Sequence, residues 1–258
     1  MLKFVKYHGT GNDFILIDNR NQIFHEDQGL ISHLCDRHFG VGADGLILIE
    51  ASHNQTEDFK MVYFNADGKK GTMCGNGGRC AVKFAQSLGI ISEKTVFLAP
   101  DGIHEALIKG EEISLKMADV PSYRKEQQHY LIHTGSPHYI QFVKNIEEVN
   151  VLEEGKKIRY SSTFQPDGIN VNFVEWDEPH HKIRTYERGV EAETLSCGTG
   201  TVAAAIAIAI EKGTAQSPIS METRGGDLKV HFENDGKVFT EIWLSGPAQE
   251  VFTGTLAQ

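Results

Sequence analysis

The sequence predicts an α+β fold of two pseudo-symmetric domains, each a mostly antiparallel β-sheet or barrel wrapped around a central helix. Three observations favour this fold. A set of motifs recurs in the second half of the chain, short strand-like runs alternate with turn residues in both halves, and a Cys-Gly motif opens a helix in each half. With 258 residues, the chain is long enough for two domains that each bury a core.

The internal repeat consists of four motifs that recur in the same order, about 123 residues apart. The segment 11–15 corresponds to 135–140, Asp44-Gly45-Leu46 to Asp167-Gly168-Ile169, Phe64-Asn65 to Tyr186-Glu187, and Cys74-Gly75-Asn76-Gly77 to Cys197-Gly198-Thr199-Gly200. Chance similarity between two β-rich halves is the alternative, but duplication of a half-length unit explains four matches in register. Duplication predicts two facing domains with ligand held between them. We expect the first domain to span residues 1–118 and the second to span 119–247.

Strand-like runs bounded by Gly, Asn, Asp or Pro are found in both halves. They cover residues 14–18, 46–50, 60–64, 95–98, 169–175 and 183–186, and turn sequences lie at 65–68, 100–102 and 234–236. The short runs and tight turns predict a sheet in which antiparallel pairing dominates.

The predicted helices follow the two Cys-Gly motifs. After Cys197, a helix is predicted over residues 201–212 with Gly213 as its C-cap. Its segment 202–210 is apolar on every face, which predicts a helix buried on all sides. The segment 79–88 after Cys74 is shorter and more mixed, but it lies at the equivalent position. Each domain is therefore predicted to surround a helix whose N-terminus carries a cysteine.

A cysteine at a helix N-terminus is suited to proton transfer, because the helix dipole and unpaired N–H groups favour the thiolate. The adjacent glycine N–H groups can bind a carboxylate at the same place. Two such helix ends, carrying Cys74 and Cys197, would hold one α-carboxylate and place a sulfur on either side of the α-carbon. One thiolate could then remove the α-proton while the other thiol protonates the opposite face. This pattern predicts racemisation or epimerisation of an amino acid.

No cofactor or metal is expected for this reaction. PLP would need a Schiff-base lysine and a phosphate site, and neither is identifiable in the sequence. The carbanion would instead be stabilised by N–H donors and helix dipoles. His138 and Glu187 lie near the repeated motifs and are candidates for setting the protonation of the cysteines, with an ordinary surface or capping role as the alternative.

Five motifs of this chain closely resemble diaminopimelate epimerases over nearly the whole length. They are His8-Gly9-Thr10-Gly11-Asn12-Asp13-Phe14, Phe64-Asn65-Ala66-Asp67-Gly68, Cys74-Gly75-Asn76-Gly77-Gly78-Arg79-Cys80, Tyr186-Glu187-Arg188-Gly189, and the segment 193–200 that contains Cys197. The chain departs from the common pattern at Ser136, at Gly45 and by one extra residue within 189–193.

The resemblance implies interconversion of LL- and meso-2,6-diaminopimelate in lysine and peptidoglycan-precursor synthesis, by a homodimer without PLP or metal. It also implies that residues 248–258 return to the first domain. It implies that Cys74 and Cys197 are the acid/base pair, that His138 assists Cys74, and that Glu187 assists Cys197. The residues that it implies for substrate binding are Asn12, Asn65, Gly75, Asn76, Asn170, Glu187, Arg188, Gly198 and Thr199.

Two other functions remain open at this point. A proline or hydroxyproline racemase also uses paired cysteines, but Arg188 and the several asparagines favour a long dipolar substrate. A thiol redox or metal-binding protein is disfavoured because Cys74 and Cys80 lack a zinc-like spacing and no Cys-x-x-Cys is present. Cys35 and Cys80 are predicted to be buried small hydrophobic residues. Cys35 lies in a helix predicted over residues 27–38, with Ile31 and Leu34 on the same side.

Composition restricts the partners and the compartment. The formal charge of -10, with 35 acidic against 25 basic residues and no basic cluster, disfavours nucleic acid and anionic membranes. Residues 1–8 lack the apolar core of a signal peptide, and the longest apolar run, 202–210, is too short to span a bilayer. The sequence therefore predicts a cytoplasmic protein that binds a small molecule.

Overall fold

The computed structural model describes residues 2–52, 54 and 56–256. The chain forms two compact units. Unit 1 contains the chain up to Leu115 together with the segment from Gly246 onward, and unit 2 contains Lys116–Ser245. Unit 1 is therefore built from two separate parts of the chain, whereas unit 2 is continuous. Residues 257 and 258 of the segment predicted to return to the first domain lie outside the described residues.

The secondary structure of unit 1 comprises eight strands and two helices among the described residues. In chain order they are β1 (Leu2–Gly9), β2 (Asn12–Asp18), α1 (Gln28–Cys35), β3 (Gly45–Glu50), β4 (Phe59–Asn65), α2 (Gly75–Ser87), β5 (Lys94–Ala99), β6 (Gly102–Lys109), β7 (Glu112–Lys116) and, from the returning segment, β17 (Gln249–Leu256).

Unit 2 contains the elements from β8 to β16. In chain order they are β8 (Tyr123–Glu126), β9 (His129–His133), β10 (Pro137–Val143), a 3-10 turn (Ile146–Glu148), α3 (Val151–Arg159), β11 (Asn170–Glu175), β12 (His181–Glu187), β13 (Ala192–Thr194), α4 (Gly198–Lys212), β14 (Ile219–Thr223), β15 (Gly226–Asn234) and β16 (Phe239–Pro247).

The two units share one strand topology. In unit 1, β1 pairs with β2 antiparallel, β2 with β3 parallel, β3 with β4 antiparallel, β4 with β5 parallel, and β5 with β6 antiparallel. In unit 2, β9, β10, β11, β12, β14 and β15 repeat this order and these directions. The parallel pairs occur where a helix connects the two strands, because a parallel pair needs a long crossover. The predicted fold class of two pseudo-symmetric, mostly antiparallel domains is confirmed.

The ladder registers correct one detail of the sequence repeat. Gly45 lies opposite Phe14 in unit 1, and Asn170 lies opposite His138 in unit 2. Because Phe14 and His138 begin equivalent stretches of β2 and β10, the residue that corresponds to Gly45 is Asn170. The sequence match had paired Gly45 with Gly168, two residues earlier, because Asp-Gly turn dipeptides resemble each other irrespective of strand register.

The sheet of unit 1 lies between two helices. Side chains on one face of its strands, including those of Ile15 and Leu46, form a core cluster with Ile31 and Leu34 of α1. On the other face, α2 lies so close that a Cβ added at Gly77 would be 3.2 to 3.5 Å from side-chain atoms of Ile47, Phe14 and Met61. Because both faces are covered, β3 is buried along almost its whole length and β2 is buried continuously over residues 14–17, without alternation between apolar and polar residues.

Unit 2 has the same layers. Helix α4 is buried from Gly200 to Ala209 and packs in one core cluster with residues of β14, β15 and β16. On the opposite face, Val151 of α3 packs with Val171, Phe173 and Tyr186 in a second cluster. The predicted central helix of each domain is therefore present as α2 in unit 1 and α4 in unit 2. Within the described residues, no helix is both long and apolar enough to cross a membrane.

Several predicted boundaries differ from those of the structure. Helix α2 begins at Gly75, four residues before the predicted start, and α1 ends at Cys35 although the sequence predicted a helix to residue 38. At that end, the side chain of Asp36 accepts hydrogen bonds from the N–H groups of His38 and Phe39 and turns the chain. Helix α3 was not predicted. Cys35 and Cys80 are buried, as predicted.

Candidate active site

Cys74 lies where the sequence predicted, at the N-terminus of α2. It is the N-cap residue, with extended backbone angles, and the helix begins at Gly75. The Cys74 side chain is half-buried. Since the first N–H groups of a helix have no partner within the helix, this end of α2 offers donors to an anion.

Asn12 is placed beside Cys74 by the β1–β2 hairpin. The hairpin turns through Thr10 and Gly11, whose φ angles of 48° and 85° fit a type I′ turn, and Asn12 is the first residue of β2. The Sγ of Cys74 lies 3.5 Å from Oδ1 of Asn12. The Nδ2 of Asn12 donates to the carboxylate of Asp44, which also accepts from Arg37. This network fixes the amide of Asn12, because a carboxylate can only accept.

Behind Asn12, a second carboxylate completes this charged network. Asp13 binds Lys6 at 2.8 Å and Arg37 at 2.8 Å. Although burial opposes its ionisation, the hydrogen bonds from Arg37 and Lys6 hold the pKa of Asp13 well below its usual range. The segment that carries Asn12 is therefore tied to β1 and to the loop after α1 by ionised groups.

Asn76 and a buried arginine form the base of the Cys74 site. Asn76 and Arg79 are 2% and 0% exposed, and Nη2 of Arg79 donates to Oδ1 of Asn76 at 2.8 Å and to Oγ1 of Thr10 at 3.2 Å. The Nε of Arg79 donates to the carbonyl oxygen of Pro247. Burial lowers the pKa of Arg79, while interaction with the thiols of Cys80 and Cys74 opposes that shift. A positive charge at this position favours the thiolate of Cys74.

Asn65 lies at the end of β4 and is exposed. Its backbone N–H donates to Lys69 and its carbonyl accepts from Gly68, so the predicted turn holds it in place. Asn65 is also the ladder partner of Gly45.

Cys197 occupies the equivalent position in unit 2. It is the N-cap residue of α4, which begins at Gly198, and it is 7% exposed. The Sγ of Cys197 lies 3.6 Å from Oγ1 of Thr199, in the first turn of the helix. The backbone of that turn is fixed from outside, because Thr134 donates to the carbonyl oxygen of Thr199 at 2.9 Å.

His138 is fully buried on β10 and lies against the first turn of α4. Its Nε2 lies 3.0 Å from Oγ1 of Thr199, and its Nδ1 lies 3.1 Å from Nδ2 of Asn172. Burial, followed by the charges of His133 and Arg188, lowers the pKa of His138 to about 3. The imidazole is therefore neutral at physiological pH.

Glu187, Arg188 and Asn170 lie at adjacent ends of β12 and β11. The backbone N–H of Arg188 donates to Oδ1 of Asn170 at 2.9 Å, and Nδ2 of Asn170 donates to Oγ of Ser136 at 2.8 Å. Glu187 accepts a hydrogen bond from Thr194 at 3.0 Å. Burial raises the pKa of Glu187, and the hydrogen bond from Thr194 only partly opposes this.

The structure thus groups the predicted residues within each unit. In unit 1 it brings Asn12 next to Cys74, with Asn76 in the first turn of the same helix, and in unit 2 it connects Cys197, Thr199 and His138.

The polar residues that hydrogen-bond to the predicted site residues, directly or through Asn172, were not predicted. They are Asp44, Arg79, Asn172, Thr185 and Thr194. The usable signal was a polar side chain inside an apolar strand, as in the Asn-Val-Asn-Phe start of β11. Among the described residues, no group of three or more His, Cys, Asp or Glu side chains could hold a metal ion.

Solved structures with the same fold extend over the whole chain. A phenazine biosynthesis protein of the PhzF family from Bacillus anthracis aligns with a TM-score of 0.76 at 16% identity, covering 100% of this chain and 99% of its own. A probable proline racemase from Agrobacterium radiobacter aligns with a TM-score of 0.69 at 13% identity, covering 100% and 93%. At these identities the likeness shows the fold alone.

Proteins of known sequence give a closer match. The diaminopimelate epimerase of Flavobacterium psychrophilum is 51% identical over 99% of this chain and 100% of its own length. That of Chlorobaculum tepidum is 45% identical over 96% and 98%, and that of Aquifex aeolicus is 39% identical over 100% and 98%.

The two units share one topology, and in each of them a cysteine caps a buried helix. Together with these relatives, this arrangement defines the chain as an isomerase of the epimerase class. The family model described as diaminopimelate epimerase matches residues 4–121 and 130–251, one match for each half. The chain belongs to the diaminopimelate epimerase family.

Proposed function

We propose that this protein interconverts LL- and meso-2,6-diaminopimelate without PLP, using Cys74 and Cys197 as an acid/base pair. The observation that carries the proposal is the pair of cysteines, each the N-cap of a buried helix, in a chain of this family. The same residue type at the same place in both repeats supports one chemical role for both.

Binding of the reacting end of the substrate is assigned to the two helix N-termini. The α-carboxylate would accept hydrogen bonds from backbone N–H groups of Gly75 and Asn76 on one helix and of Gly198 and Thr199 on the other. Negative charge that develops on the carboxylate as the α-proton leaves would be stabilised by the same donors and by the helix dipoles.

The proton transfer requires the two thiols to act from opposite faces of the α-carbon. One cysteine, as thiolate, takes the α-proton and becomes a thiol. The electron pair left on the α-carbon then takes the proton of the other cysteine, which becomes a thiolate. The stereocentre is inverted, the charge of the pair is unchanged, and the reverse reaction exchanges the roles of Cys74 and Cys197.

His138 and Glu187 are proposed to adjust the protonation of the pair, His138 toward Cys74 and Glu187 toward Cys197, as the family resemblance implies. Burial supports this role for both groups, since the pKa of His138 is lowered to about 3 and the pKa of Glu187 is raised. Perturbed pKa values of this kind are frequent at catalytic sites.

The far end of the substrate carries a second ammonium and carboxylate, and polar side chains are proposed to bind them. Asn12, Asn65, Asn170, Glu187 and Arg188 supply both amide and charged groups for this purpose. Arg188 suits a carboxylate because its guanidinium can donate two parallel hydrogen bonds.

The assembly and the compartment are also proposals. The family resemblance supports a homodimer, and a role in lysine and peptidoglycan-precursor synthesis supports a cytoplasmic location. Light scattering coupled to size-exclusion chromatography tests the first, with a mass of twice 28.6 kDa expected for the dimer and 28.6 kDa for a monomer.

The substrate is tested by exchange of α-hydrogen with deuterium oxide, followed by NMR. We expect meso-diaminopimelate to lose its α-hydrogen signal and proline to keep it. Exchange of proline, with diaminopimelate unchanged, would instead indicate a proline racemase and contradict the proposal.

The two-cysteine mechanism is tested by Cys74→Ala and Cys197→Ala. Each should abolish epimerisation, because inversion needs a proton donor and an acceptor at once. Cys35→Ala is the matched control, since Cys35 is the buried last residue of α1 in unit 1 and its replacement should leave turnover intact. Full turnover by either of the first two variants would refute the mechanism.

A further inference from the structure

We propose that Asn172 and Thr185 are positioning residues which fix the tautomer of His138, so that Thr199 directs its hydroxyl proton at the sulfur of Cys197. This inference rests on the proposed function, because it assigns a hydrogen-bond donor to one of the two proton-transfer groups. It is carried by a continuous line of hydrogen bonds inside unit 2.

The first step is the orientation of the Asn172 amide. Its Nδ2 lies 3.0 Å from the carbonyl oxygen of Tyr139, and a carbonyl oxygen can only accept. Its Oδ1 accepts from Oγ1 of Thr185 at 2.9 Å. Rotating the amide by half a turn would place Oδ1 against the Tyr139 carbonyl, so the observed orientation is the one that satisfies both neighbours. Asn172 is 0% exposed, which leaves no solvent to compensate for a wrong orientation.

The second step is the position of the proton on His138. Because Nδ2 of Asn172 is a donor, Nδ1 of His138 must accept, and the single proton of the neutral ring is on Nε2. The groups that surround the imidazole keep it neutral. His133 on β9 and Arg188 after β12 are both basic, and the first turn of α4 contains no acidic residue.

The third step is the hydroxyl of Thr199. In this arrangement the Nε2–H of His138 donates to Oγ1 of Thr199 at 3.0 Å, so the hydroxyl cannot donate back to the ring. Since Nε2 carries the only ring proton, the assistance to Cys74 proposed above requires the same N–H to leave Thr199. Its own proton is then directed at the Sγ of Cys197, 3.6 Å away. A donor at this distance favours the thiolate over the thiol, in addition to the effect of the helix N-terminus. The negative charge of an ionised Glu187 would disfavour the thiolate of Cys197. Burial raises the pKa of Glu187 and so reduces this effect.

The positions of unit 1 that correspond to His138, Asn172 and Thr185 are apolar or aromatic. The hydrogen bonds among these three residues are therefore not a requirement of the fold. The registers place Phe14 where unit 2 has His138, Ile47 where it has Asn172, and Tyr63 where it has Thr185. Phe14 and Tyr63 meet as rings, with centroids 6.0 Å apart. Three coordinated replacements at buried positions of one repeat indicate a function of that repeat, because buried polar groups cost stability unless they are fully satisfied.

Gly200 supports the same conclusion. A Cβ at this position would lie 2.4 Å from Oδ1 of Asn172 and 3.3 Å from the Sγ of Cys197. The glycine therefore allows Asn172 to approach the first turn of α4. At Gly77, the equivalent residue of α2, the nearest atoms belong to Ile47, Phe14 and Met61.

The tautomer is tested by NMR of the protein labelled with ¹⁵N-histidine, with the His138 signals assigned by their loss in His138→Gln. We expect a neutral ring protonated on Nε2 from about pH 6 to pH 9. In Asn172→Asp the carboxylate accepts, so Nδ1 should become protonated. A wild-type ring that carries its proton on Nδ1, or that titrates near pH 6.5, would overturn the proposal.

The effect on Cys197 is tested by the pH dependence of its alkylation, followed by mass spectrometry in a Cys74→Ala background. Thr199→Val should raise the midpoint by about one pH unit, the size expected for a hydrogen bond to a charged group. Thr199→Ser should restore it. Thr201→Val is the matched control, since Oγ1 of Thr201 contacts the carbonyl oxygen of Cys197 and not its sulfur.

An unchanged midpoint in Thr199→Val, or an equal shift in Thr201→Val, would refute the assignment. The wild-type NMR measurement stays decisive if a variant fails to fold. Neither experiment contains diaminopimelate, so a failure of the substrate assignment would leave both results interpretable.

Discussion

At the scale of single residues, two ionisable groups of unit 2 are driven toward their neutral forms by burial. His138 has a pKa of about 3 and is uncharged at any physiological pH, whereas the pKa of Glu187 is raised from 4.5. For His138 this leaves the ring neutral at physiological pH, and for Glu187 it shifts the carboxyl toward its protonated form. Desolvation thus weakens the charged form of both groups within the same unit.

Glu187→Gln tests whether ionisation of the buried Glu187 carboxyl destabilises the folded protein. The folded state holds the Glu187 proton more tightly than the unfolded chain does, so its contribution to stability is complete at low pH and is lost as pH rises through the raised pKa. The amide cannot ionise. We therefore expect Glu187→Gln to raise Tm at pH 7, to leave it unchanged below pH 4, and to lower kcat about 100-fold.

Thermal unfolding at several pH values and steady-state epimerisation measure the two effects. The exposed Glu233→Gln serves as the control for loss of one negative charge and should change neither quantity. A lower Tm for Glu187→Gln at pH 7 would contradict the conclusion that ionisation of Glu187 destabilises the folded protein.

The sequence predicted the cysteines and their glycines because a turn motif that opens a helix is local and is repeated here. It did not predict Asn172 and Thr185. Each is a single polar residue in a strand, and a polar residue in a strand usually faces solvent. Their significance depends on which residues they face, and that is set by the ladder register between strands.

At the scale of elements, the two central helices show how packing and propensity compete. The sequence placed the start of α2 at Arg79, because Gly-Asn-Gly-Gly is a poor helix former. The structure begins it at Gly75, where Gly77 lets the helix approach the sheet closely. The end of helix α4, in contrast, was predicted to the residue, because its apolar run and the αL conformation of Gly213 agree, although the helix begins at Gly198, three residues before the predicted start.

Helix α4 should be the most sensitive element of unit 2 to loss of volume. Ile206 is 0% exposed within the core cluster, and Ile206→Ala should lower the free energy of unfolding by about 2–5 kcal/mol through the cavity it leaves. Leu152→Ala in α3 is the control, because Leu152 is 52% exposed and little burial is lost. Chemical denaturation measures both. Equal effects of the two substitutions would contradict the central position of α4.

Helix α3 was not predicted because it lacks the signal that identified α4. Its sequence from Val151 to Arg159 is mostly charged, and its buried residues are Val151 and Gly155. Gly155 lies against the ring of Tyr186, where a Cβ would be 2.6 Å from the Cγ atom. The contact of this helix with the sheet thus depends on a glycine, which sequence patterns interpret as a turn or a helix end.

At the scale of the whole molecule, the repeat was predictable and the exact correspondence was not. Four motifs were sufficient to identify two domains of one topology. In the structure, unit 1 takes its last strand, β17, from beyond unit 2. The family resemblance implied this return, but the residues of β17 give no local sign of it, because its side chains are mostly exposed and its partner β1 lies about 250 residues earlier.

Deletion of β17 should therefore damage unit 1 selectively. β17 pairs with β1 from Leu2 to His8, and Phe252 contacts the ring of Phe4 at a centroid distance of 6.0 Å. Without it, the edge of β1 is open and its amides lose protection. We expect hydrogen exchange to accelerate in β1 and β2 while α4 keeps its protection.

Val251→Thr is the matched control, because Val251 is 54% exposed and threonine keeps the backbone pairing of the strand. It should leave exchange in β1 unchanged. Persistent protection of β1 after deletion of β17 would show that the unit does not depend on its returning strand.

The discontinuity of unit 1 also has a consequence during protein synthesis. Every residue of unit 2 is synthesised before β17, so unit 2 can be complete on a chain whose Cys74 site still lacks the strand that completes its sheet. Translation order thus separates the maturation of the two cysteines that we propose as proton-transfer groups. If residue 246 were joined to a linker long enough to fill the ribosomal exit tunnel, the stalled chain should carry a folded Cys197 site and an incomplete Cys74 site, and it should be inactive.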